Sequence, residues 1–236
     1  MKKSQLDQLI YQKKINLTIQ ETHRNTSRLS KEKIIQKDSE GFFSLTQYGK
    51  LVVRQISYFE FIKKYQKFFE DHSTGNIPEK FLQRIGSLKN SELITKATNV
   101  QEKIKKMEQN STKFIKLTVA QAWGEEGKIL LDKIKNGVKV ETLWDDDSTM
   151  PEEINAVTRP KFLKFKKNGS YVGRRYSGKI GISTIITEDT AAVLLPHHKD
   201  EIDFHTMFLS KDKEFHEWCT DLFDYYWSNS VDAKWP

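Results

Sequence analysis

A strand–helix–strand run between residues 113 and 143 sets the tightest limit on the fold of this chain. Phe114-Ile-Lys-Leu-Thr-Val119 alternates as a strand, Glu125 to Asn136 carries a helical pattern closed by Gly137, and Val138-Lys-Val-Glu-Thr-Leu143 is a second strand. Two strands joined through a helix by short connections pair in parallel, as a hairpin cannot return the chain to the same end of a sheet. An α/β unit therefore occupies the second half. Further strands are predicted near 160–166, 171–177, 180–187, 190–195 and 204–209, and helices at about 79–88 and 98–110. A last helix, Asp212 to about Ser230, carries Phe215, Trp218, Phe223, Tyr225, Tyr226 and Trp227 at helical spacing, a pattern that serves a core.

The first 50 residues read differently. Residues 4–14 form a short helix with Leu6, Leu9 and Ile10 on one side, and Ile15-Asn-Leu17 is a turn. Thr18 offers a side-chain oxygen as a cap for the next helix. Ile19, Thr22, Thr26 and Leu29 share one face of that helix, while His23, Arg24, Ser27, Arg28 and Lys31 point elsewhere. Ile34-Ile35 opens a short strand, Asp38-Ser-Glu-Gly41 turns, and Phe42-Phe-Ser-Leu45 returns. Two helices a few residues apart form a helix-turn-helix. A polar, arginine-bearing helix beside a two-stranded wing suits a DNA major groove and its flanking backbone. Thr46 can cap a long helix from Tyr48 to about Asp71, roughly 35 Å at the usual rise. Its apolar stripe (Leu51, Val52, Ile56, Phe59, Ile62, Tyr65, Phe68, Phe69) fits either burial against the same chain or a dimer seam. Ser73-Thr-Gly-Asn76 breaks the pattern, giving segments 1–50, 51–72 and 73–236.

Charge follows the same division. Residues 1–70 hold 14 Lys and Arg against 7 Asp and Glu, and the remaining 166 hold 25 of each. The whole excess of +7 thus belongs to the segment with the arginine-bearing helix, the footprint of a polyanionic partner. A solvated lysine-rich face is the plainer alternative for any single helix, and it is the conjunction of helix, wing and charge that favours double-stranded DNA. No apolar run approaches the ~20 residues of a membrane span, and the Met-Lys-Lys start lacks a signal-peptide core. One cysteine, Cys219, excludes an intrachain disulfide and fits a reducing cytoplasm.

On the candidate reading helix, Arg24 and Arg28 lie one turn apart. Arginine pairs bidentately with guanine, worth about 1–3 kcal/mol of discrimination. Arg28 pairing with Glu32 on the helix surface is the alternative. Thr18, Gln20, His23, Asn25, Ser27 and Lys31 could supply further base or phosphate contacts, and in the wing Lys37 and Ser39 suit phosphate. Elsewhere, His197, His198, Asp203 and His205 could gather a metal but read more simply as a polar surface loop. Asp145-Asp-Asp147 sits at the carboxyl end of a strand, where α/β folds take ligands. It lacks the spacing of a calcium loop and reads as a solvated acidic turn. Gly169, Gly173 and Arg174-Arg175 could hold an anion, but no phosphate-loop or dinucleotide fingerprint is present, and no motif requires a cofactor.

The stretch Leu17–Leu29 followed by Ile34–Gly49 resembles archaeal winged-helix transcriptional regulators. Ile77–Gly86, Ser91-Glu-Leu-Ile94 and the ending Phe208-Leu-Ser through Trp218–Trp227 are similar to the middle domain of the methanogenesis-regulator family. The resemblance covers most of the chain. It implies a DNA-binding regulator, homodimeric, whose α/β domain has phospholipase-D-like character and senses a small-molecule effector or a partner. Only about 14 residues precede the turn, so the resemblance implies a winged helix lacking its first helix. Phospholipase-D-like chemistry uses His-x-Lys-x4-Asp, normally twice. His197-His-Lys199 begins such a motif, Asp203 falls one residue short of the spacing, and no second copy follows, so the chain reads as a non-enzyme. The alternatives are a phospholipase-D-like hydrolase and a protein-interaction module with a decayed DNA-binding head.

Overall fold

The computed structural model describes residues 17–199 and 201–233. The helix expected over residues 4–14 lies outside the described residues. The chain divides into two compact units, residues 1–59 and 60–236.

In the first unit, helix α1 (Ile19–Lys31) starts at a capping box. The Glu21 amide donates to Thr18 Oγ1 at 3.2 Å, and the Thr18 amide donates to the Glu21 carboxylate at 2.8 Å. Each satisfies an amide that the helix start would leave open. At the other end Lys33 takes φ +56°, its amide reaches Ser30 O at 3.0 Å, and the Ile34 amide reaches Leu29 O at 2.9 Å. This pair of bonds is the Schellman stop, made here with lysine in the position that glycine usually fills. Strands β1 (Ile35–Lys37) and β2 (Phe43–Leu45) pair antiparallel with Ile35 opposite Leu45. Asp38 Oδ1 accepts the amides of Glu40 and Phe42 at 3.0 and 2.8 Å, shaping the turn.

Helix α2 (Gln47–Lys64) begins under Thr46, whose hydroxyl donates to Lys33 O at 2.5 Å and accepts the Gly49 amide at 2.9 Å. A Cβ at Gly49 would fall 1.9 Å from Ile34 O, so glycine there lets helix and strand touch. The boundary between the units falls within α2. The helix ends at Lys64, short of the expected Asp71, and a 3-10 turn covers Phe68–Glu70. Such tight turns eclipse side chains three apart. Tyr65 and Phe68 thereby both meet the Phe208 ring edge-on, at 4.8 and 4.9 Å.

The second unit is a mixed α/β structure on one eight-stranded sheet. After helix α3 (Glu79–Leu82) and a 3-10 turn at Ile85–Leu88 come β3 (Glu92–Thr95), α4 (Ala97–Asn110) and β4 (Phe114–Gln121). Next are α5 (Gly124–Lys135), β5 (Lys139–Thr149), α6 (Glu152–Lys166) and β6 (Tyr171–Arg175). The chain closes with β7 (Ser183–Thr187), β8 (Ala191–Leu194), β9 (Thr206–Ser210), α7 (Lys213–Ser228) and β10 (Val231–Asp232). The strand order is β10-β6-β5-β4-β7-β8-β9-β3. β4, β5 and β6 are parallel, as the strand–helix–strand run predicts, and β7 pairs antiparallel with β4.

Both faces of the sheet are covered. Ile115, Leu117 and Val119 of β4 pack with Ile104 of α4 and Leu130 and Ile134 of α5 on one side. On the other, Leu143, Val193 and Phe208 meet Phe61, Phe81 and Ile85 together with Phe215, Trp218 and Phe223 of α7. Trp218 is fully buried, and its indole N–H donates to Phe81 O at 3.0 Å. The aromatic series of the last helix is therefore core at Phe215, Trp218, Phe223 and Tyr226.

Two expectations need correction. Residues 160–166 are helix, not strand: Phe162 and Phe165 lie three apart on the inner side of α6, and Pro160 is accommodated within it. Asp145-Asp-Asp147 is not a solvated turn but a bulge of β5, where pairing with β4 jumps from Val119–Trp144 to Gln121–Thr149. Asp145 is buried and accepts the Ile180 amide at 2.8 Å. Asp146 pairs with Arg175 at 3.3 Å, and Asp147 with Lys179 at 3.1 Å. The triad pins the loop after β6. No helix among the described residues is long and apolar enough to cross a membrane.

Candidate nucleic-acid interface

At about 100° per residue, α1 sorts the candidate contacts into sides. Thr22, one of only two buried residues described in this unit, marks the inner side. Gln20, Arg24, Ser27, Arg28 and Lys31 project from the opposite side, and all five are exposed. His23 and Asn25 fall at the two margins, His23 exposed and Asn25 half-buried. Thr18 stands apart, because its hydroxyl is engaged with Glu21 in the capping box. That engagement also holds the Glu21 carboxyl below its ordinary range: the Thr18 amide contributes most, then the Thr18 hydroxyl, and the Arg24 charge adds a smaller part.

Neither Arg24 nor Arg28 forms an ion pair with a carboxylate among the described residues, and the Arg28–Glu32 pair considered from the sequence is not formed. Glu32 instead closes the helix, its amide bonding to Arg28 O. The guanidinium donors are thus left to solvent or to a ligand. In the hairpin, Lys37 Nζ lies 5.6 Å from the centre of the Phe43 ring, the residue opposite it, and Ser39 is exposed at the turn. Cation–ring contacts hold a lysine stem extended with its ammonium at the surface.

In the second unit the histidines form a cluster that sequence spacing only half revealed. Asp203 is buried, not part of an open loop. It accepts from His72 Nε2 at 3.0 Å, the His205 amide and ring at 2.8 and 3.0 Å, and the Thr206 hydroxyl at 2.6 Å. Burial alone would raise its pKa, but the Thr206, His205 and His72 hydrogen bonds outweigh it and hold the carboxyl at about 2. His72, 131 residues earlier in the chain, is the member sequence missed; only the bridge between His72 and His197 brings it here. Its Nδ1 lies 2.9 Å from Phe68 O and 2.5 Å from Asp71 Oδ1. The imidazole is thereby suspended between two carboxylates and sandwiched by the Phe68 and His197 rings, at 3.9 and 4.4 Å. Asp71, His72 and His197 come close enough to share a metal. The two imidazoles are tilted 34° to one another, and both ring nitrogens of His72 already have partners, Asp203 on one side and Asp71 and Phe68 O on the other. His198 bonds to Glu70 O at 2.9 Å. Arg174 and Arg175, candidate anion ligands, are committed to Ser230 and Asp146.

Residues 98–229, more than half of the 236, match the family model described as the middle domain of the methanogenesis regulatory protein FilR1. The chain belongs to this family. The FilR1-type span covers most of the α/β unit and includes the Phe208–Trp227 ending that carried the resemblance in sequence. Among solved structures, TrmBL2, an archaeal chromatin protein, is 14% identical over 92% of this chain and 84% of its own, with a TM-score of 0.47. Nuc, a phospholipase D family member from Salmonella typhimurium, is 12% identical over 62% and 99%, with a TM-score of 0.46. NucT from Helicobacter pylori is 9% identical over 61% and 99%, with a TM-score of 0.49. No curated protein sequence matches the chain.

Proposed function

We propose that this FilR1-family chain is a DNA-binding transcriptional regulator whose first unit is a winged helix-turn-helix. The observation that carries this reading is the exposed row Gln20, Arg24, Ser27, Arg28 and Lys31, with two arginines unpaired among the described residues. An arginine without a carboxylate partner keeps its full donor fork for a guanine edge or a phosphate. In this reading α1 enters the major groove, Arg24 and Arg28 reach base edges, Gln20, His23, Asn25 and Ser27 add polar contacts, and Thr18, Lys31, Lys37 and Ser39 lie along phosphates. Because Thr18 already serves as the cap, its share in binding is the helix start it fixes.

The reading extends to a homodimer. Tyr48, Leu51 and Phe59 stand exposed along one side of α2, an apolar row that a second copy of the same helix would cover. The α/β unit then acts as the sensing domain for a small-molecule effector, and the protein works in the cytoplasm without enzymatic turnover. The incomplete His-x-Lys-x4-Asp spacing and the engagement of Asp203 with histidines and Thr206 both oppose a hydrolase.

Fluorescence anisotropy on labelled duplexes, at a series of salt concentrations, tests this. Affinity should fall linearly in log–log form with salt. Arg24→Ala should weaken the preferred sequence by about 1–3 kcal/mol, and Lys37→Ala should lower the salt slope by about 1 across sequences. Absence of binding by the folded protein at low salt, or a slope that neither basic residue influences, sinks the proposal.

A further inference from the structure

The neutrality of residues 71–236 hides a division of charge. Residues 154–187 carry eight Lys and Arg and no Asp or Glu, which leaves 17 basic against 25 acidic residues for the rest of residues 71–236. The run begins in α6 and ends in β7. Its cations do not all serve the same end. Arg174 bonds to Ser230 and lies over the Trp227 ring, Arg175 pairs with Asp146, Lys179 with Asp147 and Lys166 with Asp232. These residues fasten loops and the last strand. Lys161, Lys164 and Lys167 differ. All three are exposed, and none forms an ion pair or a hydrogen bond among the described residues.

Helix geometry gathers the three. Thr158 and Phe162 are buried and Phe165 is half-buried, which fixes the inner side of α6. At about 100° per residue, Lys161, Lys164 and Lys167 share an arc of about 120° on the outer side and rise over about 9 Å of helix axis. Lys164 sits in the last turn, where a cation answers the helix dipole, but that benefit falls off within one turn and does not reach Lys161. Negative charge nearby is remote or already paired. Glu152 stands at the other end of α6, about 13 Å along the axis from Lys161. On α5, which touches α6 where Gly127 abuts Thr158, Asp132 pairs with Lys135 and Glu125 with Lys105.

A row of unpaired ammoniums in a stretch without carboxylates attracts a polyanion. A helix that binds an anionic membrane keeps an apolar face for the lipid. α6 has already spent that face, with Phe162 and Phe165 packed onto the sheet, and the large apolar side chains left exposed on its described residues are Val157 and Leu163 alone. A DNA duplex asks for no apolar face. It presents one negative charge for about every 1.7 Å of axis, so ammoniums spread over about 9 Å can each meet a phosphate.

We infer that the outer side of α6 is a second, sequence-independent contact for double-stranded DNA, in which Lys161, Lys164 and Lys167 neutralise backbone phosphates. The inference rests on the proposed function for the choice of DNA as partner, and it gives the α/β unit a share in binding that does not pass through α1.

Fluorescence anisotropy of the full chain on a random-sequence duplex of about 30 base pairs, over about 50 to 200 mM salt, tests the surface. Lys161→Gln, Lys164→Gln and Lys167→Gln together should lower the slope of log affinity against log salt by about 2–3. Binding at the low-salt end should weaken at least about tenfold, with the circular dichroism of the fold kept. Arginine at the same three positions should restore both. Absence of binding at low salt, a slope that the glutamine variant leaves unchanged, or an arginine variant that binds no better than the glutamine one overturns the inference. A chain carrying Arg24→Ala and Arg28→Ala separates the two claims on the same duplex. A slope lowered there and not by the lysine variant overturns this surface and leaves the α1 reading standing; the reverse result overturns the α1 reading and leaves this surface standing. Sedimentation with phosphatidylserine–phosphatidylcholine vesicles tests the other polyanion: pelleting that needs the three lysines, with DNA binding unchanged in the glutamine variant, overturns the inference in favour of a membrane surface.

Discussion

The two units are held together by opposite means. In residues 17–59 only Thr22 and Gly49 are buried, and the local shape comes from hydrogen bonds at the ends of elements: the capping box at Thr18, the Schellman stop at Lys33 and the Thr46 cap. In residues 60–236 the ends are less regular, but two layers of apolar side chains cover the sheet from both faces. A helix with an emptied inner side and a charged outer side is free to spend its surface on a partner. A sheet covered on both faces is suited instead to enclosing something small.

This contrast is easiest to break with substitutions whose costs should differ sharply. Trp218→Ala removes the largest fully buried side chain and the bond to Phe81 O, and should lower stability by about 3–5 kcal/mol in chemical denaturation. Leu51→Ala on exposed α2 should cost under about 0.5 kcal/mol within a monomer. A larger loss that grows with protein concentration in sedimentation would show that a second copy covers this row.

The acid limb of stability comes next in size. Asp203 and Glu188 are both held at about 2. For Asp203, burial is the largest influence and raises its pKa, and bonds from Thr206, His205 and His72 overcome it; for Glu188, burial likewise raises, and bonds from Thr112 and Ser111 overcome it. A carboxyl depressed in the folded state stabilises fully above its unfolded value and loses that contribution as pH falls toward 2. Denaturation followed across pH 5 to 2, the range between those values, should therefore show stability falling with acid, and Asp203→Asn should flatten part of the fall. An unchanged acid limb in that variant would show that His72 and Thr206 do not depend on a charged acceptor.

Between the ordinary glutamate value of 4.5 and neutrality the sign reverses. Burial raises Glu126 to about 7, with the Glu108 and Trp123 hydrogen bonds pulling the other way, so its contribution is present in acid and is lost as pH rises through 7. Glu126→Gln should remove that loss, which thermal denaturation at pH 4.5 and 8 measures. The smallest expected effect lies in the first unit. Lys33→Gly relieves a left-handed lysine at the helix stop and should raise stability by about 1 kcal/mol, read from the same denaturation curves.

What could be read in advance follows the range of the interaction. The Thr18 cap, the Asp38–Gly41 turn and the parallel β4–α5–β5 unit depend on residues near one another in sequence, and each stands where the pattern placed it. The 160–166 segment failed because alternating Lys and Phe mimics a strand, whereas Phe162 and Phe165 satisfy a helix equally well and packing against the sheet decided between them. β3 and β10 are short edge strands whose existence depends on β9 and β6 as partners, so no local run announces them. His72 and the enclosed carboxyl of Glu108 carry no sequence signal at all. Each is meaningful only after distant elements meet, and buried carboxyls in amphipathic helices read as ordinary surface charge.

If the first unit binds DNA as proposed, the corner at Gly49 has a consequence for operators. With backbone of α2 resting directly on the Ile34 carbonyl, and Thr46 bonded across the same point, the start of α2 is fastened to the segment that ends α1. Should two copies pair along α2, the angle at which they cross would dictate the separation of the two α1 helices. Half-sites on DNA repeat about every 10–10.5 base pairs. The crossing angle would then act as a ruler, and operator spacing could be retuned by repacking Leu51 and Phe59 without altering any side chain that faces the groove.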